Sequence, residues 1–177
     1  MTEPMPLSQF LSAPADSVAK ARPRTGSVPR ASEVAAAVSA APVLGVLPVG
    51  AAEFSGVTGA IPAGYLSREL RGRKMRTVEG VYDEFAAAFQ FPYYFGENKD
   101  AFDECLRDLD EFVGPAQGYV AVIRNAALLL DEEPAERAWF AEAMTDCAAR
   151  WAKSGTPFRV VLQDAAPAAL GAVSLTL

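Results

Sequence analysis

From Tyr65 onward, short apolar runs alternate with stretches whose apolar residues recur at helical spacing, and this alternation constrains the fold most. Tyr65–Leu70, Tyr119–Ile123 and Phe158–Leu162 read as strands; the second is apolar throughout. Between the first two, Thr77 is a good N-cap, and Val81, Phe85, Ala88 and Phe89 repeat at the period of a helix, with Gly80 an imperfection in its first turn. Pro92 ends that helix, Phe91–Gly96 forms a tight aromatic loop, and a second helix begins at Asn98 or its neighbour and runs to about Glu111. Further on, Ala126–Leu130 reads as a short helix. Asp131 to Pro134 carries the N-terminal signature of a longer one ending near Lys153, closed by Gly155. The order β-α-α-β-α-α-β implies an α/β domain built on a parallel sheet.

The 177 residues suit one domain, or a small domain with a tail. Three segments are expected: a Pro/Ala-rich N-terminal extension over 1–62, the domain over 63–164 and a short, weakly structured end over 165–177. In the first, Pro4, Pro6, Pro14, Pro23 and Pro29 break regular elements, so residues 1 to about 30 read as a mobile tail. Lys20, Arg22, Arg24 and Arg30 make it mildly basic, in keeping with a solvated linker or with a basic arm for an acidic partner. Ser32 can cap a short helix over Glu33–Ala40. Val43–Val49 reads either as a strand or as an apolar arm laid on the domain, with Pro48 arguing against a central strand. Ala51–Ala63 reads as loop, and Ala165–Gly171 as a turn of helix.

The chain has no histidine, which removes Ser-His-Asp and Cys-His machinery and every histidine-containing zinc site. Cys105 and Cys147 are too few for a zinc knuckle. Both lie among helical apolar residues, which favours buried free thiols over a disulfide. No cofactor is called for. A formal charge of −6 disfavours direct nucleic-acid binding. No stretch approaches the roughly 20 apolar residues of a membrane span, and the first residues do not form a signal peptide. The expectation is a cytoplasmic protein without a membrane partner.

The charge is concentrated in one place. Between Tyr93 and Phe112 there are seven acids and two bases. On a wheel of the second helix, Ala101, Phe102, Cys105, Leu106, Leu109 and Phe112 share one arc of roughly 140°. Asp100, Asp103, Glu104, Asp108, Asp110 and Glu111 occupy the other side, joined only by Arg107. An acidic helix face is usually just a solvated one. Here, however, Asp100–Glu104 and Glu104–Asp108 oppose the fold by a few tenths of a kcal/mol each, and Tyr93, Tyr94 and Phe95 abut the surface. Tyrosines beside charges are common interface anchors, whereas Phe95 is expected to face the core. Paired carboxylates as in glycosidases, or a magnesium site from Asp100, Asp103 and Glu104, are weaker readings.

The run from Phe91 to Leu106, Phe-Pro-Tyr-Tyr-Phe-Gly-Glu-Asn-Lys-Asp-Ala-Phe-Asp-Glu-Cys-Leu, resembles the signature of the barstar family: a Pro, an aromatic pair, Gly-x-Asn-x-Asp-Ala, then an acid, Cys and Leu. The resemblance extends over roughly Ala63 to Asp164. It implies a barstar-like fold, a three-stranded parallel sheet packed by helices, here with a largely irregular N-terminal extension. It also implies a binding protein rather than an enzyme: an intracellular inhibitor whose partner is a small basic ribonuclease or a related toxin domain. A ribonuclease site is cationic in order to hold phosphate, so carboxylates on a rigid helix can occupy it, and opposite fields speed encounter.

Carried over residue by residue, the resemblance implies a partner-binding surface of Tyr94, Gly96, Asn98, Asp100, Asp103 and Glu104. Glu104 stands at the acid that enters the nuclease phosphate site, and Gly96 at the loop glycine, where backbone freedom or close approach of a partner is expected. Three positions depart from the family pattern. Asp103 replaces an aromatic residue, Leu109 replaces a second, and Arg150 stands where the short inhibitors carry another interface acid. The rival reading is a barstar-fold regulatory or scaffolding module with a non-nuclease partner.

Overall fold

The structure, a computed structural model, describes residues 3–12 and 41–177. Its strands are β1 (Met5–Pro6), β2 (Leu44–Leu47), β3 (Tyr65–Arg71), β4 (Gly118–Arg124), β5 (Phe158–Gln163) and β6 (Val173–Thr176). Its helices are α1 (Leu7–Leu11), α2 (Ala51–Phe54), α3 (Val57–Ala60), α4 (Val78–Phe89), α5 (Lys99–Arg107), α6 (Leu109–Val113) and α7 (Arg137–Ala152). The strands form one sheet in the order β1-β6-β2-β5-β4-β3, and every pairing is parallel.

The parallel sheet and its helices agree with the sequence, but six strands replace the expected three. The extra strands come from the segments expected to be irregular. Leu44–Leu47 lies between β5 and β6, so the undecided run Val43–Val49 resolves into a central strand. Pro48 falls one residue beyond it, where its missing N–H costs the ladder nothing. Pro6 likewise sits in the edge strand β1. β6 is four residues long, too short to register as a periodic run. Residues 13–40, which include the expected helix Glu33–Ala40 and the basic residues Lys20, Arg22, Arg24 and Arg30, lie outside the described residues.

Strands β4 and β5 are buried over nearly their whole length, as parallel strands covered on both faces must be. One face packs Tyr119, Ala121, Ile123, Phe158, Val160 and Leu162 against α4, α5 and α7. The other presents Val120, Val122 and Val161, covered by Leu7, Phe10 and Leu11 of α1 and by Phe54 and Val57. Residues 51–63 are therefore not plain loop: α2 and α3 exist to seat Phe54 and Val57 on this face. Arg124 ties α2 down, donating to the Ala51 carbonyl and Ser55 Oγ and lying 5.4 Å over the Phe54 ring. Nor are residues 5–12 a free tail. Arg159, 1 % exposed, donates from Nε to the Phe10 carbonyl at 3.2 Å, and its burial lowers the pKa of the guanidinium.

On the helical side, Thr77 Oγ1 accepts from the Gly80 N–H at 3.1 Å, which confirms the N-cap. Gly80 is no imperfection, because a Cβ there would collide with the Lys74 carbonyl. Both cysteines are buried and free. Among the described residues no helix is long and apolar enough to cross a membrane.

Two outcomes follow from this packing. Phe10→Ala should cost about 3 kcal/mol in urea denaturation, within the usual range for a buried Phe, while exposed Gln9→Ala stays within about 0.5 kcal/mol; equal, small effects would return residues 5–12 to the status of a tail. Burial raises the pKa of both thiols, that of Cys147 well above the usual thiol value. Cys105 and Cys147 should therefore react slowly with a thiol reagent in the native protein and rapidly in denaturant.

Candidate functional site

The acidic helix starts where the sequence places it. Asn98 Oδ1 accepts from the Ala101 N–H at 2.9 Å, and Asn98 Nδ2 donates to the Gly96 carbonyl at 3.2 Å. The side chain of Asn98 is thus committed to joining loop and helix. Gly96 has no positive φ; the left-handed residue here is Glu97, at φ 49°. The space beneath Gly96 is instead narrowed by Asn98 Nδ2, 3.1 Å from where a Cβ would lie. Glycine at this position reflects close approach within the chain, not backbone freedom.

Phe102 anchors the helix. Fully buried, it meets the rings of Tyr82, Phe85, Phe91 and Trp139 with centroids 5.2–6.1 Å apart. Phe95 turns inward to Tyr82 and Phe91, as expected from the sequence. Tyr93 and Tyr94 are left on the surface, 101 % and 69 % exposed, edge to face with each other. Tyr93 was not among the carried-over residues, yet it is the more exposed; its place between a proline and a second tyrosine in a tight loop is the sequence signal.

The helix does not run unbroken to Glu111. It stops at Arg107, and α6 begins again at Leu109. The Leu106 carbonyl turns toward α7, where it accepts from Trp151 Nε1 at 2.9 Å and from the Cys147 thiol, while the Asp108 N–H reaches back only to Cys105. Leu109, the first residue of α6, is buried in the core.

The carboxylates consequently divide. Asp100 and Glu104, one turn apart, are both exposed on the outer face. Lys99, next to Asp100 in the sequence, is engaged elsewhere: its Nζ lies 2.6 Å from Glu136 Oε2 and 5.0 Å over the Trp139 ring. Asp103 differs. It is half-buried toward α7, and among the described residues its Oδ1 has no hydrogen-bond partner. Desolvation raises its pKa, helped by Asp146, Asp100 and Glu142 and opposed by Arg107. The structure thus brings Tyr94, Gly96, Asn98, Asp100 and Glu104 together along the loop and outer helix face, and turns Asp103 aside. That division also separates the three acids of the magnesium reading, and among the described residues no group of three or more acids and cysteines is placed to hold a metal ion.

Residues 65–163 match the family described as Barstar (barnase inhibitor). The chain belongs to the barstar family. Among curated proteins none matches it. The matched span begins with β3 and ends with β5, so in this barstar-family chain β1, β2 and β6 are additions that widen the sheet on the side away from β3.

Asp103 yields a pH test. Its folded-state pKa lies above the ordinary carboxylate value, so at neutral pH the folded protein carries the cost of an ionised, partly desolvated group. As pH falls through the folded-state pKa toward the unfolded one, protonation relieves that cost. Asp103→Asn should be more stable than wild type at pH 7, and the difference should shrink on acidification. Thermal unfolding of both proteins across pH 3–7 (roughly the carboxylate range) checks this; a difference that grows on acidification would show Asp103 to be favourably paired.

Proposed function

We propose that this chain is an inhibitor of a small basic ribonuclease, acting in the cytoplasm, with the exposed surface of Asp100 and Glu104 and the tyrosines of the 93–95 loop laid over the nuclease active site. The observation that carries the reading is the pairing of unneutralised carboxylates with exposed tyrosines on a helix held rigid by Phe102. A rigid presentation loses little side-chain and backbone freedom on binding. The carboxylates match a phosphate-binding centre in charge, and the tyrosines add contact area at its rim. Family membership supports the same reading, since barstar-family proteins are inhibitors rather than enzymes. In this reading Tyr93, Tyr94, Asp100 and Glu104 touch the partner, Gly96 and Asn98 shape the loop, and Asp103 acts from beneath.

Glu104 is the proposed centre. Truncating a charge buried in an interface generally costs about 2–5 kcal/mol, a range that already draws on a member of this family. Glu104→Ala should therefore weaken inhibition by roughly thirtyfold to several thousandfold. Asp110→Ala, on α6 at the edge of the face, should change mainly the association rate, by an amount that fades with salt. Both residues are exposed, so neither change should alter the unfolding midpoint much. The measurement is inhibition of small basic ribonucleases, including any made by the same cell, by wild type and both variants. Equal, small losses from the two variants would move the centre away from Glu104. Failure of wild type to inhibit any basic ribonuclease would put the scaffolding reading in its place.

A further inference from the structure

The helix α5 carries two bases, Lys99 at its first residue and Arg107 at its last. Lys99 is exposed and stands immediately before Asp100, at the edge of the proposed contact surface. A lysine ammonium rides on a flexible four-carbon stem. Without a fixed partner it would range over the start of the helix, neutralising Asp100 and meeting the bases of a cationic partner. Like charges brought together across an interface are costly. The structure gives it a fixed partner. Lys99 Nζ donates to Glu136 Oε2 at 2.6 Å and lies 5.0 Å over the Trp139 ring. Both groups come from the first turn of α7 and the single turn Pro134–Glu136 that leads into it. That stretch is itself tied down. The Trp139 ring packs on Phe102 and Tyr82, with centroids 5.6 and 6.1 Å away, and Arg137 donates to the Leu129 carbonyl. A part-exposed ion pair of this kind contributes little to stability. Its main effect is on where the charge of Lys99 lies.

We propose that Glu136, backed by Trp139, is a positioning residue for the inhibitory surface: it holds the Lys99 ammonium against α7, so that Asp100 and Glu104 face a cationic partner without an opposing charge beside them. Glu136 acts through Lys99 and does not itself touch the partner. The proposal rests on the inhibitor reading and deepens it, because it makes the strength of the acidic face depend on a carboxylate from another helix. It also gives a signature that a merely structural ion pair lacks: Lys99 and Glu136 are coupled in the affinity for the partner, and the loss caused by removing Glu136 disappears once Lys99 carries no charge.

The experiment uses the full chain and a panel of small basic ribonucleases, following whichever one wild type inhibits most tightly. Wild type is compared with Glu136→Gln, Lys99→Gln, the two combined, and Glu53→Gln, an exposed residue of α2 on the opposite side of the sheet. Glu136→Gln leaves Lys99 charged and unheld. Its affinity is expected to fall about tenfold, against at most about threefold for Glu53→Gln, which changes the net charge equally. Lys99→Gln is expected to bind at least as tightly as wild type. The double variant keeps the wild-type net charge and has no ammonium to contain, so it is expected within about threefold of wild type. Equal losses from Glu136→Gln and Glu53→Gln would reduce the effect to net charge and overturn the proposal. So would a loss from Glu136→Gln that persists in the Lys99→Gln background, or a loss from Lys99→Gln alone. If Glu104→Ala weakens binding while Lys99 and Glu136 show no coupling, the inhibitor reading stands and the role of Glu136 falls; if wild type inhibits no member of the panel, both fall.

Discussion

Burial of β4 and β5 on both faces is the constraint on which the rest of the molecule depends. Strands as apolar as Tyr119–Ile123 cannot leave either side in water, because each buried aliphatic side chain represents about 1.5–3 kcal/mol of transfer free energy. Helices α4, α5 and α7 cover one side and, in doing so, carry the acidic surface outward. The other side is closed by residues from both ends of the chain: α1, α2 and α3 from the front and β6 from the back. The described parts of the extension, residues 3–12 and 41–62, are therefore part of the domain's architecture. Its contact with Arg159 shows how closely it is fitted, since a guanidinium is tolerated there only with carbonyls such as those of Phe10 and Phe158 to receive it.

Core packing and surface charge are separated within one short helix, α5. Phe102, Cys105 and Leu106 bind it to the core, while Asp100 and Glu104 share its outer face at a spacing that opposes helix formation. Repulsion of a few tenths of a kcal/mol per pair is small beside the burial of one phenyl ring. The inner face can therefore hold the outer charges in place without compensating bases. Lys99 shows the same economy: its bond to Glu136 and its place over Trp139 fasten the helix start to α7 and move a positive charge away from the carboxylates.

The helical half of the molecule, and the loop and helix that carry the candidate site, were legible in the sequence because their signals are local. Thr77 and Asn98 announce helix starts through their own side chains, Gly155 a stop, and the apolar arc of α5 follows from spacing alone. The motif around Gly96 and Asp100 lies within a single stretch of chain, so loop, cap and carboxylates are read together. Short strands give no such signal. Leu44–Leu47, Val173–Thr176 and Met5–Pro6 are too brief to show a period, and their identity rests on partners far away in sequence.

Tertiary contacts decided what local pattern left open. Spacing puts Asp103 beside Glu104 as an equal member of the acidic face; only the approach of α7, with Asp146 and Glu142, makes it a partly desolvated group without a donor. Periodicity carries the helix through to Glu111; the turn of the Leu106 carbonyl toward Trp151 and Cys147 breaks it. Proline content makes the first residues look like a tail; Leu7, Phe10 and Leu11 settle on a sheet face whose need for cover is written more than a hundred residues later. Helix caps and amphipathic arcs are properties of neighbours along the chain, and sequence by itself determined them. Desolvation, helix breaks and strand adoption are properties of neighbours in space, and only the folded structure brings those together.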